Sequence, residues 1–246
     1  EEEIEHTIKE GGLEVRDDLE MVNSRLSARR DAYADHLYSI LQRSGYLHRD
    51  CVRMVNNDRN IFAALMVALG DADAMITGIT RNYSVALQEV LKVIKPAQGR
   101  KAIGTTMFLG QAQTVFVADT TFYEFPTAED LADIAIESAS VARRFGYEPR
   151  VALLSYSTFG HPSGERSDVI KEAVEVLDAR SVDFEYEGEM SADIALNMDA
   201  MATYPFSRLS EPANVLIMPG FHSASIATKM LQEIGGVTTV GPLISG

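Results

Sequence analysis

"RVALLSYSTFGHPSGERSDVIKEAVEVLDAR", from Arg150 to Arg180, is the stretch that decides the fold class. Its opening, RVALLSYS, is a short apolar run of the kind that forms a buried strand. Its close, ERSDVIKEAVEVLDAR, carries apolar residues at helical spacing. The Ser, Thr, Gly and Pro residues from Ser155 to Gly164 make the join a loop. Strand, loop and helix in that order are the repeating part of a βαβ unit.

The pattern repeats outward in both directions. Downstream, VDFEYEGEM (182–190) predicts a strand, SADIALNMDAMATY (191–204) helical structure, ANVLIMPG (213–220) a strand, SASIATKMLQEIGG (223–236) a helix and VTTVGPL (237–243) a last strand. Upstream, TAEDLADIAIESASVARRFG (127–146) predicts a helix with Thr127 as N-cap, Asp130 in the capping-box position and Gly146 closing it. KAIGTTMFLG and QTVFVAD predict two strands joined by a hairpin at 110–113. Before them, NIFAALMVALG (60–70) reads as a helix closed by Gly70, DAMITG (73–78) as a buried strand, and SVALQEVLKVI (84–94) as a helix stopped by Pro96. The expected fold is therefore α/β with a mainly parallel sheet. The one candidate boundary falls near Pro126.

Composition narrows the function classes. The 246 residues are 46% hydrophobic and 24% charged, as in an ordinary globular protein able to bury a core. The formal net charge of −14 disfavours nucleic acid and anionic membranes as partners. The single cysteine, Cys51, forbids an intramolecular disulfide, and together with the lack of a signal-like start it suggests the cytoplasm. No apolar run approaches the length of a membrane span. The opening EEEIEHTIKEGG lacks Met and reads as a helix inside a longer chain.

Two loops carry the candidate chemistry. Ser157 and Thr158, with Arg166 at the start of the following helix, stand just past one strand; Ser223 and Ser225 stand just past another. In open α/β sheets ligands bind beyond the carboxyl ends of the strands, where free N–H groups and helix dipoles attract anions. The competing account is a pair of solvated loops, with Arg166 pairing weakly with Glu165 or Asp168. The acids Asp183, Glu185 and Glu187 read as a solvated strand face, while Glu189 and Asp193 follow Gly188 at a strand end. His161 and His222 lie in the two loops, but none of the five histidines has zinc-ligand spacing, and no metal site is expected. Walker A, G-x-G-x-x-G and G-x-S-x-G patterns are absent.

GDADAMITG, PTAEDLADIAIESA, EPRVALLSYST, EGEMSADIALN, ANVLIMP and GGVTTVGPLISG resemble, in order and over nearly the whole chain from Val22, the phosphotransacetylase (phosphate acetyltransferase) family. DLEMVN, TRNYSVALQEVLKVI, STFGHPSGERS and FHSASIATKMLQEIGG are similar to one branch of it, the C-terminal domain of bacterial hybrid malic enzymes. The resemblance implies a two-domain α/β fold like that of isocitrate and isopropylmalate dehydrogenases, with parallel-rich sheets and an interdomain cleft. The first domain would take 1–125 plus 235–246, the second 126–234. It also implies a homodimer, acetyl-CoA or a related phosphorylated ligand, and an N-terminal malic enzyme module. NADP and a divalent metal would be needed only in that module, and no cofactor here.

Departures from the family pattern bear on activity. Active members carry an Asn-Asp-Leu-Ser-Arg-Gly segment after the Gly-Pro strand, and this chain ends at Gly246 before it. An arginine of active members aligns with Gln88, and their Pro-Asp-Leu-Asn loop reads Pro219-Gly220-Phe221-His222 here. Acetyl phosphate concentrates negative charge, and loss of one fixed cationic donor costs a rate factor of about a hundred or more. The resemblance thus implies a regulatory, oligomerising domain with no catalytic residue, in which Ser157, Thr158, Arg166, Ser223 and Ser225 meet the ligand. A working phosphate acetyltransferase and a purely structural dimerisation domain are the alternatives.

Overall fold

The computed structural model describes residues 2–14, 18–78, 81–111 and 113–246. The chain forms two compact units, Glu1–Lys95 and Pro96–Gly246.

The first unit is helical among its described residues: α1 (Glu2–Glu10), α2 (Arg30–Leu41), α3 (His48–Asn57), α4 (Arg59–Ala68) and α5 (Tyr83–Val93). Its core gathers Tyr33, Leu37, Cys51, Val55, Ile61, Phe62, Leu65 and Val93. The Asp58 carboxylate caps α4, accepting from the N–H groups of Asn60 (2.9 Å) and Ile61 (3.2 Å). The Tyr33 hydroxyl donates to Asp71 at 2.6 Å, and burial together with that carboxylate pushes its pKa up to about 12. Gly70 follows α4 with φ at 77°, as a helix terminator does.

The expected strand at 73–78 does not form. Residues 74–78 are irregular, and Ile76 is fully exposed. An apolar run of three residues reads as a strand only if a neighbouring strand pairs with it, and the surrounding unit offers helices.

The second unit is built on a six-stranded sheet of order β4-β3-β5-β2-β1-β6. The strands are β1 (Ile103–Leu109), β2 (Thr114–Ala118), β3 (Arg150–Leu154), β4 (Glu185–Met190), β5 (Val215–Ile217) and β6 (Thr238–Ser245). β2, β5, β3 and β4 run parallel; β1 pairs antiparallel with both β2 and β6. The β1–β2 hairpin is closed by the Gly110 N–H on the Gln113 carbonyl at 3.0 Å. Helices α6 (Ala128–Arg144), α7 (Glu165–Arg180) and α10 (Phe221–Gly235) follow β2, β3 and β5, while the short α8 (Ala192–Leu196) and α9 (Met198–Met201) follow β4.

Alternate strand residues enter two cores. Val151 and Leu153, Phe116 and Ala118, and Val215 and Ile217 pack against the buried faces of α6 and α7. Ala152 and Leu154, Val115 and Val117, and Leu216 join Met190, Ala195, Met201 and Leu209 on the other face. Burial on both faces is why these strands read as unbroken apolar runs.

Both hairpin strands and the last strand belong to this same sheet. The division between the units therefore lies at Lys95 and Pro96, whereas the sequence suggested Pro126, which sits in the loop between β2 and α6. β6 likewise adds to β1 of the second unit. Among the described residues no helix is long and apolar enough to cross a membrane.

Candidate functional site

Because β2, β3, β4 and β5 are parallel, their carboxyl ends share one edge of the sheet. Two buried carboxylates organise the loops there. Asp119, directly after β2, is 1% exposed. It accepts from the N–H groups of Gly104 (2.8 Å), Thr121 (3.1 Å), Phe122 (2.6 Å) and Tyr123 (2.7 Å). The chain beyond β2 is thereby tied back to β1. Glu189, near the end of β4 and also 1% exposed, accepts from the Ser157 hydroxyl (2.9 Å) and the Gly160 N–H (2.7 Å). A buried carboxylate needs such partners, and charge-assisted hydrogen bonds supply them.

The start of α10 closes on the first of these loops. The Phe221 N–H donates to the Tyr123 carbonyl at 2.6 Å. A Cβ on Gly220 would collide with the Glu124 carbonyl, so only glycine admits this approach. A Cβ on Gly164, the N-cap of α7, would likewise strike the Tyr156 hydroxyl.

The loops after β2, β3 and β5 border an open cavity of about 510 Å³, lined by Phe125, Tyr156, Arg166, Ile170, His222 and Ser223 among others. Arg166 and Ser223 are among its lining residues. Ser157 and Thr158 do not line it; their neighbours Ser155 and Tyr156 do. Ser157 is fully buried on Glu189, and the Thr158 hydroxyl exchanges hydrogen bonds with Ser191, donating to its hydroxyl at 3.1 Å and accepting from its N–H at 3.1 Å. Ser225, one turn into α10, is half-buried away from the lining. The Ser223 hydroxyl donates to the Gly220 carbonyl at 2.8 Å.

The Arg166 guanidinium carbon lies 5.0 Å from the centre of the Phe125 ring. Asp168 pairs with Lys171 at 3.2 Å; among the described residues Arg166 pairs with neither Asp168 nor Glu165, the partners the competing account named.

The strand acids divide differently from the expectation. Asp183 is exposed and pairs with Arg143 at 2.9 Å. Glu187 is buried, 5% exposed, with Arg208 on it at 3.2 Å, so it is no solvated face. The Arg208 N–H donates to the same carboxylate at 2.9 Å, and these charge-assisted bonds are what allow it to turn inward; Arg208 also stacks 4.5 Å over Tyr186.

Sequence reasoning missed Asp119, Phe125 and Tyr156. For Asp119 a signal existed: an acid directly after the apolar run TVFVA, at a strand's carboxyl end. For Phe125 none did, since an aromatic in an irregular loop has no periodicity to read.

A family model described as phosphate acetyl/butaryl transferase matches residues 1–246. The NADP-dependent malic enzyme of Rhizobium meliloti (strain 1021) is 59% identical over 247 residues, covering 100% of this chain and 32% of that protein. A probable NADP-dependent malic enzyme of Rickettsia prowazekii (strain Madrid E) is 44% identical, over 100% of this chain and 33% of that protein. The chain thus spans about a third of the length of these curated relatives. A phosphotransacetylase from Streptococcus pyogenes superposes with a TM-score of 0.84 at 26% identity, over 100% of this chain and 75% of that one, so the fold is phosphotransacetylase-like.

Proposed function

The chain belongs to the phosphate acetyl/butaryl transferase family, and from that premise we propose that it is a regulatory ligand-binding domain of a malic enzyme. In this reading it binds acetyl-CoA or a related phosphorylated acyl compound and transfers no acyl group. The parent protein would oxidatively decarboxylate malate to pyruvate, with NADP and a divalent metal held elsewhere in it. The observation that carries the reading is full-length likeness, at 59% identity, to an NADP-dependent malic enzyme about three times as long.

The cavity supports a binding role. Its lining combines the apolar groups of Phe125, Ile170 and Pro219 with the Arg166 guanidinium, the start of α10, His222 and one acid, Glu124; the guanidinium and the helix N-terminus would hold an anion joined to an apolar body. Arg166 and Ser223 would meet the ligand. Ser157 and Thr158 would act from behind the wall, by fixing the loop that carries Ser155 and Tyr156, and Ser225 would stay outside the lining. Catalysis asks for more. By the family resemblance, Gln88 would stand where active members carry an arginine, and Gly220-Phe221-His222 would replace their Asp-Leu-Asn; fixed cationic and polar donors are worth several kcal/mol to a transition state rich in negative charge.

The likeness of fold to a phosphotransacetylase favours a second reading, an active acyltransferase. Malate-dependent NADP reduction by the parent protein separates the two. A rate that acetyl-CoA alters at saturating malate, with no thiol released in the presence of phosphate, is expected. Thiol release with malate oxidation unmoved would support the second reading.

A further inference from the structure

Arg166 stands where a helix least favours a cation. It follows Gly164 and Glu165 in the first turn of α7, where free N–H groups already carry positive partial charge. Glu165 and Asp168 share that turn, as the helix dipole favours, yet neither pairs with it. Among the described residues Arg166 makes no hydrogen bond or ion pair, and its guanidinium lies over the Phe125 ring instead. Phe125 is itself 66% exposed, in the loop that Asp119 fastens. A cation without a carboxylate partner and a large exposed ring, both on the rim of one cavity, have only each other as partner within the chain.

We propose that Phe125 and Arg166 form a clamp for an anionic group, with Phe125 as the positioning residue. The ring holds the guanidinium flat, so that its free edge presents parallel N–H donors to a pair of phosphoryl or carboxylate oxygens. The first turn of α7 adds its field to the same point. Tyr156, Ile170 and Pro219 line the space beyond, which fits an anion joined to an acyl or other apolar body. The clamp rests on the ligand-binding reading above and assigns the residues that read the ligand's charge.

Calorimetric titration tests it, with acetyl-CoA and, separately, inorganic pyrophosphate as probes. The proteins are the wild type, Phe125→Leu, Phe125→Tyr, Arg166→Met and the double variant Phe125→Leu/Arg166→Met. Both residues are exposed, so the variants are expected to keep the wild-type urea midpoint. Arg166→Met is expected to weaken acetyl-CoA binding about tenfold or more. Phe125→Leu is expected to weaken it about two- to fivefold, with Phe125→Tyr restoring it. The double variant should bind no more weakly than Arg166→Met alone, because the ring acts through the guanidinium. A further loss in the double variant would overturn the positioning role. Unchanged affinity in Arg166→Met would overturn the clamp and leave the ligand-binding reading standing. No uptake of acetyl-CoA by the wild type would defeat that reading, and pyrophosphate would then decide the clamp alone. Binding of pyrophosphate that Arg166→Met abolishes upholds it; equal binding in both, or none in either, overturns it.

Discussion

At Asp119 one carboxylate satisfies four backbone N–H groups. Removing it takes that partner from one buried and three part-buried donors, and a buried donor left without a partner costs about 1–3 kcal/mol. Asp119→Ala is therefore expected to lower the stability of the second unit by at least about 3 kcal/mol in urea denaturation. Asp183→Ala, at an exposed ion pair, should leave the midpoint where it is. Gly220→Ala belongs to the same scale. Its new methyl group meets a backbone carbonyl that cannot swing aside, so the start of α10 must move off the 119–126 loop. A fall in urea midpoint worth about 1–3 kcal/mol is expected; an unchanged midpoint would show that the loop gives way freely. Residue identity announced the loops, through Ser, Gly and Pro, but not their wiring. The hydroxyls at Ser157 and Thr158 looked like donors awaiting a ligand, and they are spent on Glu189 and Ser191.

At the scale of elements the sequence was most legible where two signals agreed. α6 has an apolar face and a capping box: Thr127 Oγ1 accepts from the Asp130 N–H at 3.2 Å, and the Asp130 carboxylate accepts from the Thr127 N–H at 2.9 Å. Thr127→Ala should cost about 1 kcal/mol in urea denaturation. Where one signal stood alone it misled: the short run AMI at 74–76 had hydrophobicity but no partner strand, and Glu187 had charge but also an arginine waiting for it. α6 and α7 are further joined by ions. Asp133 receives Arg180 and Lys101, each at 2.7 Å. Burial alone would push the Asp133 carboxyl up, but the hydrogen bonds from Lys101 and Arg180 outweigh it and hold the group below the usual carboxylate range. A depressed folded-state pKa contributes stability that is present above the ordinary carboxylate pKa, about 4, and is lost as the pH falls through the depressed one. The urea midpoint should therefore drop as the pH is lowered below about 4. Asp133→Asn should lower stability at pH 7 and flatten that acid-side drop; an equally steep drop in the variant would count against the network.

For the whole molecule, the sheet's arrangement decides what the chain can hold. Four parallel strands put their carboxyl ends together, and three loops border an open cavity there. The class of this fold was legible because β2, β3 and β5 are apolar on both faces and the main helices of the second unit on one. The division at Lys95 was not, because the pairing that carries the β1–β2 hairpin into the sheet, β2 with β5, is a long-range fact that no local pattern encodes. The family reading also implies a homodimer. Sedimentation at micromolar concentration should show a species near twice the chain mass of 27.0 kDa, and a monomer throughout would refute it. The central claim is a domain that binds without turning over. Titrating acetyl-CoA into the chain in phosphate buffer, with heat and released thiol followed together, tests it most directly. The account predicts saturable heat at one ligand per chain and no thiol beyond the uncatalysed background. Thiol release on the order of 10 per second, an ordinary enzyme's rate, or no heat up to millimolar ligand, would contradict it.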